Sequence, residues 1–300
     1  MRRRFVTLDV FTGTRFAGNP LAVVLEPAGL DTAAMQTIAR EFNLSETVFV
    51  FPPQDASHRA KIRIFTPVSE LPFAGHPTVG TAVLLGRIEG GTHARDFVLE
   101  LTIGPVPCTV TPAEPDCGHA RFDLPRLPED VGAPADDATI AAALGIDVAD
   151  IGLDGMAVAR WSAGAPYTMV PVRGLDAIKR CRVNSALWDR AFGFDAHAAA
   201  YMFCRESAMK DFGSFHTRMF APRQGVPEDP ATGSAAAAFA GYLASAGAYG
   251  DGQHLLMIEQ GFEMGRPSVI ALTLRIAGAK LTGASIGGGA VVVMEGTIEA

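Results

Sequence analysis

The sequence predicts an α+β protein in which one folding unit occurs twice, and three observations carry that prediction. Arg63-Ile64-Phe65-Thr66-Pro67 runs on through Pro72 to Ala74-Gly75-His76-Pro77-Thr78, and Arg218-Met219-Phe220-Ala221-Pro222 runs on through Pro227 to Asp229-Pro230-Ala231-Thr232-Gly233-Ser234. The Arg, the Phe and both Pro positions share the offset of 155 that separates residue 63 from residue 218. An earlier echo relates Ala17-Gly18-Asn19-Pro20-Leu21-Ala22-Val23-Val24 to Ala163-Gly164-Ala165-Pro166-Tyr167-Thr168-Met169-Val170, at the offset of 146 that separates 17 from 163. Each half also mixes short strands with one long helix and lacks the regular strand–helix alternation of a parallel sheet. The two offsets differ by nine, so the halves are related with insertions. A chain that folds twice into one unit creates a cleft at the seam, and here two helix N-termini are expected to line it.

In the first half, strands are predicted over 6–10 and 21–25, parted by a Gly/Asn/Pro turn. Asp31 is a suitable N-cap for a helix to Phe42, with apolar residues at Met35, Ile38, Ala39 and Phe42 and Asn43 as its stop. Strands follow at 47–51, closed by Pro52-Pro53, and at 61–65. Pro77 suits the first turn of a helix to about Leu85. Residues 97–103 and 106–111 read as a hairpin pair.

From Pro105 to Pro128 the chain carries prolines at 105, 107, 112, 115, 125 and 128, and the inter-domain passage is expected there. This gives domains of 1–117 and 118–287. In the second half, helices are predicted near 137–145 and 195–200 and over 234–246. Strands are predicted near 156–160, 166–172, 201–205 and 214–220, and the remainder from about 254 is strand-rich with Gly turns.

Composition bounds the function. Three hundred residues, 48% hydrophobic and 19% charged, describe a globular protein of about two domains. A net charge of −7 argues against a nucleic-acid partner, because phosphate backbones demand a basic surface. No apolar run reaches membrane-spanning length, and the charge at Asp9 interrupts any signal-like start after Arg2-Arg3-Arg4. Cys108, Cys117, Cys181 and Cys204 are scattered, which reads as reduced thiols in a cytoplasmic protein.

Seven dispersed histidines offer no HxH or HExxH spacing, and Cys117-Gly118-His119 is the one tight pair, so no metal is expected. Gly283-Ala284-Ser285-Ile286-Gly287 matches a nucleophile-elbow pattern, yet a strand follows it and no His lies downstream, so it is rejected. The two helix-opening turns are better candidates. A helix N-terminus presents unpaired N–H groups and partial positive charge to an anion, and Gly75 and Gly233 permit close backbone approach. Ordinary capping by Thr232 or Ser234 is the alternative for either turn alone. Glu46 opens a strand apolar on both faces, where partial desolvation favours the neutral acid and tunes it for proton transfer. A solvated strand-end Glu is the alternative there.

Asp9-Val10-Phe11-Thr12, Phe16-Ala17-Gly18-Asn19-Pro20, Asn43-Leu44-Ser45-Glu46-Thr47-Val48-Phe49 and Glu70 through Thr78 together resemble the PhzF-like family, named for phenazine biosynthesis. Glu228 through Ala235, Gln260-Gly261 and Met264-Gly265-Arg266-Pro267-Ser268 extend the resemblance over nearly the whole chain. It implies a diaminopimelate-epimerase-like fold: two pseudo-symmetric domains, each a rolled mixed β-sheet around a central helix, with strand 288–300 returning to the first domain and the active site in the cleft. It implies a homodimer and a cofactor-independent isomerase resembling trans-2,3-dihydro-3-hydroxyanthranilate isomerase. By analogy Glu46 moves the proton, His76 and Asp229 contact the substrate and assist, and Ser45, Gly75, Gly233 and Ser234 hold a carboxylate. Racemases of this fold place a cysteine at each helix-opening turn. Here His76 and Ser234 stand in those neighbourhoods, so a two-thiol racemase does not fit. A single-base epimerase or racemase and a non-catalytic small-acid binder are the alternative functions.

Overall fold

The computed structural model describes residues 1–91, 93–113, 116–209 and 213–300. In chain order the elements are β1 (Arg2–Val10), β2 (Asn19–Leu25), α1 (Thr32–Phe42), β3 (Glu46–Phe51), β4 (Ala60–Phe65), β5 (Glu70–Leu71), α2 (Gly75–Glu89), β6 (Arg95–Leu101), β7 (Gly104–Pro112), β8 (Cys117–Asp123), β9 (Glu129–Asp130) and α3 (Asp137–Leu144). There follow β10 (Ala159–Ser162), β11 (Pro166–Pro171), α4 (Leu175–Arg180), α5 (Trp188–Phe192), β12 (Ala200–Cys204), β13 (Phe215–Ala221), β14 (Val226–Asp229), α6 (Gly233–Ser245), β15 (Gly252–Gln260), β16 (Ser268–Ala277) and β17 (Lys280–Glu299). The fold is α+β, with mixed sheets and few helices. It divides into unit one, residues 1–123 with 287–300, and unit two, residues 124–286.

In unit one the pairings run β1–β2 antiparallel, β2–β3 parallel, β3–β4 antiparallel, β4–β6 parallel, then β6–β7 and β7–β8 antiparallel. β8 pairs with β17, and β17 pairs antiparallel with β1, so the sheet closes into a barrel with no free edge. Helix α2 packs against β1, β2, β3, β6, β7 and β8 and is buried from Gly75 through Gly86. A helix apolar all round belongs inside a core. Gly80 makes this possible, since a Cβ there would lie 2.6 Å from Leu21 and 2.7 Å from Val10 side-chain atoms. Outside the barrel, α1 lays Met35 and Ala39 over Val24, Phe49 and Phe65. Its ends match the prediction: Asp31 accepts from the Ala34 N–H, and Asn43 stops the helix at φ 51°.

Unit two repeats the order: β10–β11 antiparallel, β11–β12 parallel, β12–β13 antiparallel, β13–β15 parallel, β15–β16 antiparallel. β14 pairs back on β13 as β5 does on β4. Helix α6 takes the place of α2, and its Phe239 meets Tyr201, Phe203 and Phe215. The duplication read from sequence is thus a duplication of topology, and the register locates the insertions. Ala22 pairs with Thr47, which pairs with Phe65, and Thr168 pairs with Ala200, which pairs with Phe220. The offsets along these rows are 146 (22 to 168), 153 (47 to 200) and 155 (65 to 220). Seven of the nine extra residues therefore lie between the paired strands that α1 joins in unit one and α4 and α5 join in unit two. The other two lie in the next hairpin.

Three sequence expectations are corrected. No helix forms at 195–200. There Asp195 accepts from the His197 and Ala198 N–H groups, and Ala198 turns at φ 45° into β12. The helical residues of that connection are α4 and α5, whose Ile178, Trp188 and Phe192 pack with Val170, Met202 and Phe220. The proline-rich stretch is mostly sheet: β7 buries Val106, Cys108 and Val110 alternately, with Pro105 and Pro107 facing away from that core. β8 pairs with β7, so the passage to unit two begins after Asp123 and not after residue 117. Glu114 and Pro115 of that stretch lie outside the described residues. Gly283 through Gly287, the rejected nucleophile pattern, lies within β17. No helix among the described residues is long and apolar enough to cross a membrane.

Candidate active site

Each unit brings chemistry-bearing side chains to the start of its central helix. In unit one, β3 begins with Glu46, which shares the face of Val48 turned away from α1. Ser45, half-buried, directly precedes it. Helix α2 begins with Gly75 and His76, and its N-cap Ala74 supplies no side-chain cap. The Glu46 Oε2 atom lies 3.2 Å from His76 Nε2, with side-chain exposures of 16% and 6%. The sequence placed Glu46 at the mouth of a buried strand, and Thr47, Val48 and Phe49 are buried.

Burial pushes the His76 imidazole down to about 3. His76 is therefore neutral at physiological pH, a single hydrogen-bond donor or acceptor at each nitrogen and not a cation. A stability consequence follows. The unfolded chain takes up a proton near pH 6.5 while the folded chain resists until about pH 3. His76 thus removes stability progressively as pH falls through that window. Between pH 7.5 and pH 5, His76→Asn should lose about 2 kcal/mol less stability than the unmodified protein. Urea unfolding at the two pH values measures this. Titrating groups that do not touch residue 76 act in both proteins and cancel in the difference, and equal losses would show that His76 is not the buried neutral base described.

In unit two the first turn of α6 carries Gly233 and Ser234, and its N-cap Thr232 also gives no side-chain cap. The Thr232 hydroxyl instead donates to Asp229 Oδ2 at 2.5 Å. Fully buried Gln260 holds this turn. Its amide nitrogen donates to the Asp229 carbonyl at 2.7 Å and to Thr232 Oγ1 at 2.9 Å, and its amide oxygen accepts from the Thr232 N–H at 3.1 Å. Next to it Gly261 turns at φ 79°, where a Cβ would meet the Pro230 carbonyl oxygen at 2.6 Å, so only glycine lets the two backbones approach. Ser234 Oγ lies 2.7 Å from the Tyr167 hydroxyl.

The structure thus groups Glu46, His76, Ser45 and Gly75 at one helix start, and Asp229, Gly233 and Ser234 at the other. Neither Thr232 nor Ser234 caps its helix, which leaves first-turn N–H groups available for an anion. Sequence reasoning assigned no role to Gln260 and Tyr167. Gln260 stood in a matched segment beside Gly261, and Tyr167 stood in the repeated echo opposite Leu21. The thiols of Cys108, Cys181 and Cys204 are pushed up to about 12 by burial, so none is poised as a thiolate base. Among the described residues, no group of three or more His, Cys, Asp or Glu could hold a metal ion.

Each unit is thus a roll filled by one helix, with a carboxyl–imidazole pair at the helix start of unit one and a carboxyl–hydroxyl set at that of unit two. The phenazine biosynthesis-like (PhzC-PhzF) profile matches residues 8–296, and the chain belongs to that family. It is 51% identical over 299 residues to an uncharacterized isomerase of Mesorhizobium japonicum, covering 99% of this chain and 98% of that one. It is 35% identical over 298 residues to the trans-2,3-dihydro-3-hydroxyanthranilate isomerase of Pseudomonas fluorescens, covering 98% of each. The crystal structure of a Bacillus anthracis phenazine biosynthesis protein of the PhzF family superposes with a TM-score of 0.89 at 26% identity, over 100% of both chains. The protein is an isomerase.

Proposed function

We propose that this isomerase moves a proton on a small carboxylate substrate without a cofactor, with Glu46 as both acid and base. The observation that carries the reading is the half-buried Glu46 carboxyl 3.2 Å from a neutral imidazole at the start of a helix with no side-chain cap. The isomerase of P. fluorescens, at 35% identity, supports a substrate resembling trans-2,3-dihydro-3-hydroxyanthranilate. In the proposed step the Glu46 carboxylate takes a proton from a carbon beside an unsaturated one. The electron pair left behind shifts along the unsaturated system, and the Glu46 acid returns the proton to a different carbon, so atoms and electrons balance with no redox partner. Neutral His76 donates one hydrogen bond to Glu46 or to the developing charge. Asp229 orients the polar substituents. The helix starts at Gly75 and Gly233, with Ser45 and Ser234, hold the carboxylate.

Turnover of trans-2,3-dihydro-3-hydroxyanthranilate in heavy water tests this. Solvent deuterium should appear by mass spectrometry at the carbon that receives the proton. A purely binding protein would release the compound unchanged and unlabelled, and that outcome would end the reading.

A further inference from the structure

The register that aligns the two units shows what unit two carries where unit one has its acid. Extending the 153 offset, Glu46 corresponds to Ala199, and at the 146 offset Leu21, which pairs with Glu46, corresponds to Tyr167. His76, second residue of α2, corresponds to Ser234, second residue of α6. Ala199 is buried and has the strand parity of Tyr201 and Phe203, the face that meets α6. The carboxylate side chain is gone from that spot, and the neighbouring strand contributes a phenol that reaches Ser234 at 2.7 Å.

We propose that the Tyr167–Ser234 pair is the unit-two counterpart of Glu46–His76, and that Tyr167 is a positioning residue that aims the Ser234 hydroxyl at a substrate oxygen. This rests on the reading above, in which Ser234 holds the substrate carboxylate. A phenol is a stronger donor than an aliphatic hydroxyl, so Tyr167 gives its hydrogen to Ser234 Oγ. Ser234 then keeps its own hydrogen for a third partner. The reverse orientation would leave Ser234 with lone pairs only, which repel a carboxylate. Ser234 is thereby a committed donor, and unit two selects an acceptor such as a carboxylate oxygen over an ammonium or amide N–H. The phenol cannot swing freely. His197 packs edge-on to the Tyr167 ring at 4.8 Å, and Asp195 holds the His197 backbone by accepting its main-chain N–H at 2.8 Å while pairing with Arg160 at 2.6 Å. Burial lowers the His197 pKa against the pull of Asp195, which favours its neutral form.

A double-mutant cycle with trans-2,3-dihydro-3-hydroxyanthranilate tests the inference, with melting temperature and near-ultraviolet circular dichroism confirming that each variant folds. Tyr167→Phe should raise KM roughly tenfold and hold kcat within about twofold, because carboxylate binding is made equally in ground and transition states. Ser234→Ala should do the same, and the double variant should be no worse than the poorer single one, since Tyr167 acts through Ser234. Additive losses, a silent Tyr167→Phe, or a fall in kcat at constant KM would overturn the inference and leave the proposed function standing. A normal KM in Ser234→Ala, or no turnover by the unmodified protein, would overturn the inference together with the reading beneath it.

Discussion

Glu46→Gln should lower turnover of trans-2,3-dihydro-3-hydroxyanthranilate by about 10²–10⁴-fold while the protein folds normally. Gln keeps the shape of Glu and one carbonyl oxygen, so the contact 3.2 Å from His76 Nε2 survives with that nitrogen donating. An amide nevertheless cannot take a proton from carbon and carry it elsewhere. The neighbours offer no substitute: burial holds the His76 imidazole near 3, far too weak a base, and the register gives unit two Ala199 at the corresponding position. The loss should appear in kcat, because the missing interaction exists only in the transition state. Initial rates and a thermal melt decide the matter. A kcat within tenfold of the unmodified protein, at unchanged melting temperature, would remove Glu46 from the chemistry. His76→Asn should cost less than Glu46→Gln, since it replaces the imidazole beside the carboxyl and leaves the proton carrier in place.

The sequence made the scaffold legible because the scaffold is what repeats. Arg63 and Arg218, Phe65 and Phe220, and the prolines flanking them recur because each unit needs the same β4–β5 or β13–β14 corner ahead of its central helix. Asp31, Asn43 and the strands β1 to β4 were readable from local rules, since neighbours in sequence decide them. The connection holding α4 and α5 was not, because Trp188, Phe192 and Ile178 are helical through tertiary packing against Val170, Met202 and Phe220. β7 was obscured because its prolines read as breakers, whereas the alternate burial of Val106, Cys108 and Val110 needs knowledge of both flanking strands. Function follows the opposite logic. The side chains that bear chemistry stand where the copies differ: Glu46 against Ala199, His76 against Ser234, Leu21 against Tyr167, and Leu71, paired with Ile64, against Asp229, paired with Met219. The repeat drew attention to the right turns. It hid Tyr167, whose importance lies in departing from Leu21, and Gln260, whose three hydrogen bonds appear only once the β15 end meets the Asp229–Thr232 turn.

The same contrast yields a stability prediction from the element that did repeat. Arg63 pairs with Glu70 at 2.8 and 2.6 Å, and Arg218 with Glu228 at 2.7 and 2.8 Å, each bridging a strand pair. Each guanidinium also lies over the Phe two residues on, at 5.1 Å from Phe65 and 4.8 Å from Phe220. By sequence the two pairs are equivalent, yet their surroundings differ. Arg63 and Glu70 are 23% and 30% exposed, whereas Arg218 and Glu228 are 7% and 18% exposed. Arg218 also donates to the Ile178 carbonyl at 2.8 Å and the Cys181 carbonyl at 3.2 Å, tying the end of α4 to β13. Arg218→Leu should therefore destabilise the protein by about 3–5 kcal/mol, because it strands the Glu228 carboxylate largely out of water and takes a charged donor away from the Ile178 and Cys181 carbonyls. Arg63→Leu, whose Glu70 partner water can reach, should cost about 1 kcal/mol or less. Urea denaturation of both variants measures the difference, and equal costs would refute the burial argument. A further variant separates the ion pair from the carbonyl contacts. Arg218→Leu with Glu228→Leu should recover part of the loss, since removing the stranded carboxylate cancels its desolvation while the guanidinium hydrogen bonds to the Ile178 and Cys181 carbonyls stay lost. Full recovery would assign the whole cost to the stranded charge, and none would assign it to the end of α4.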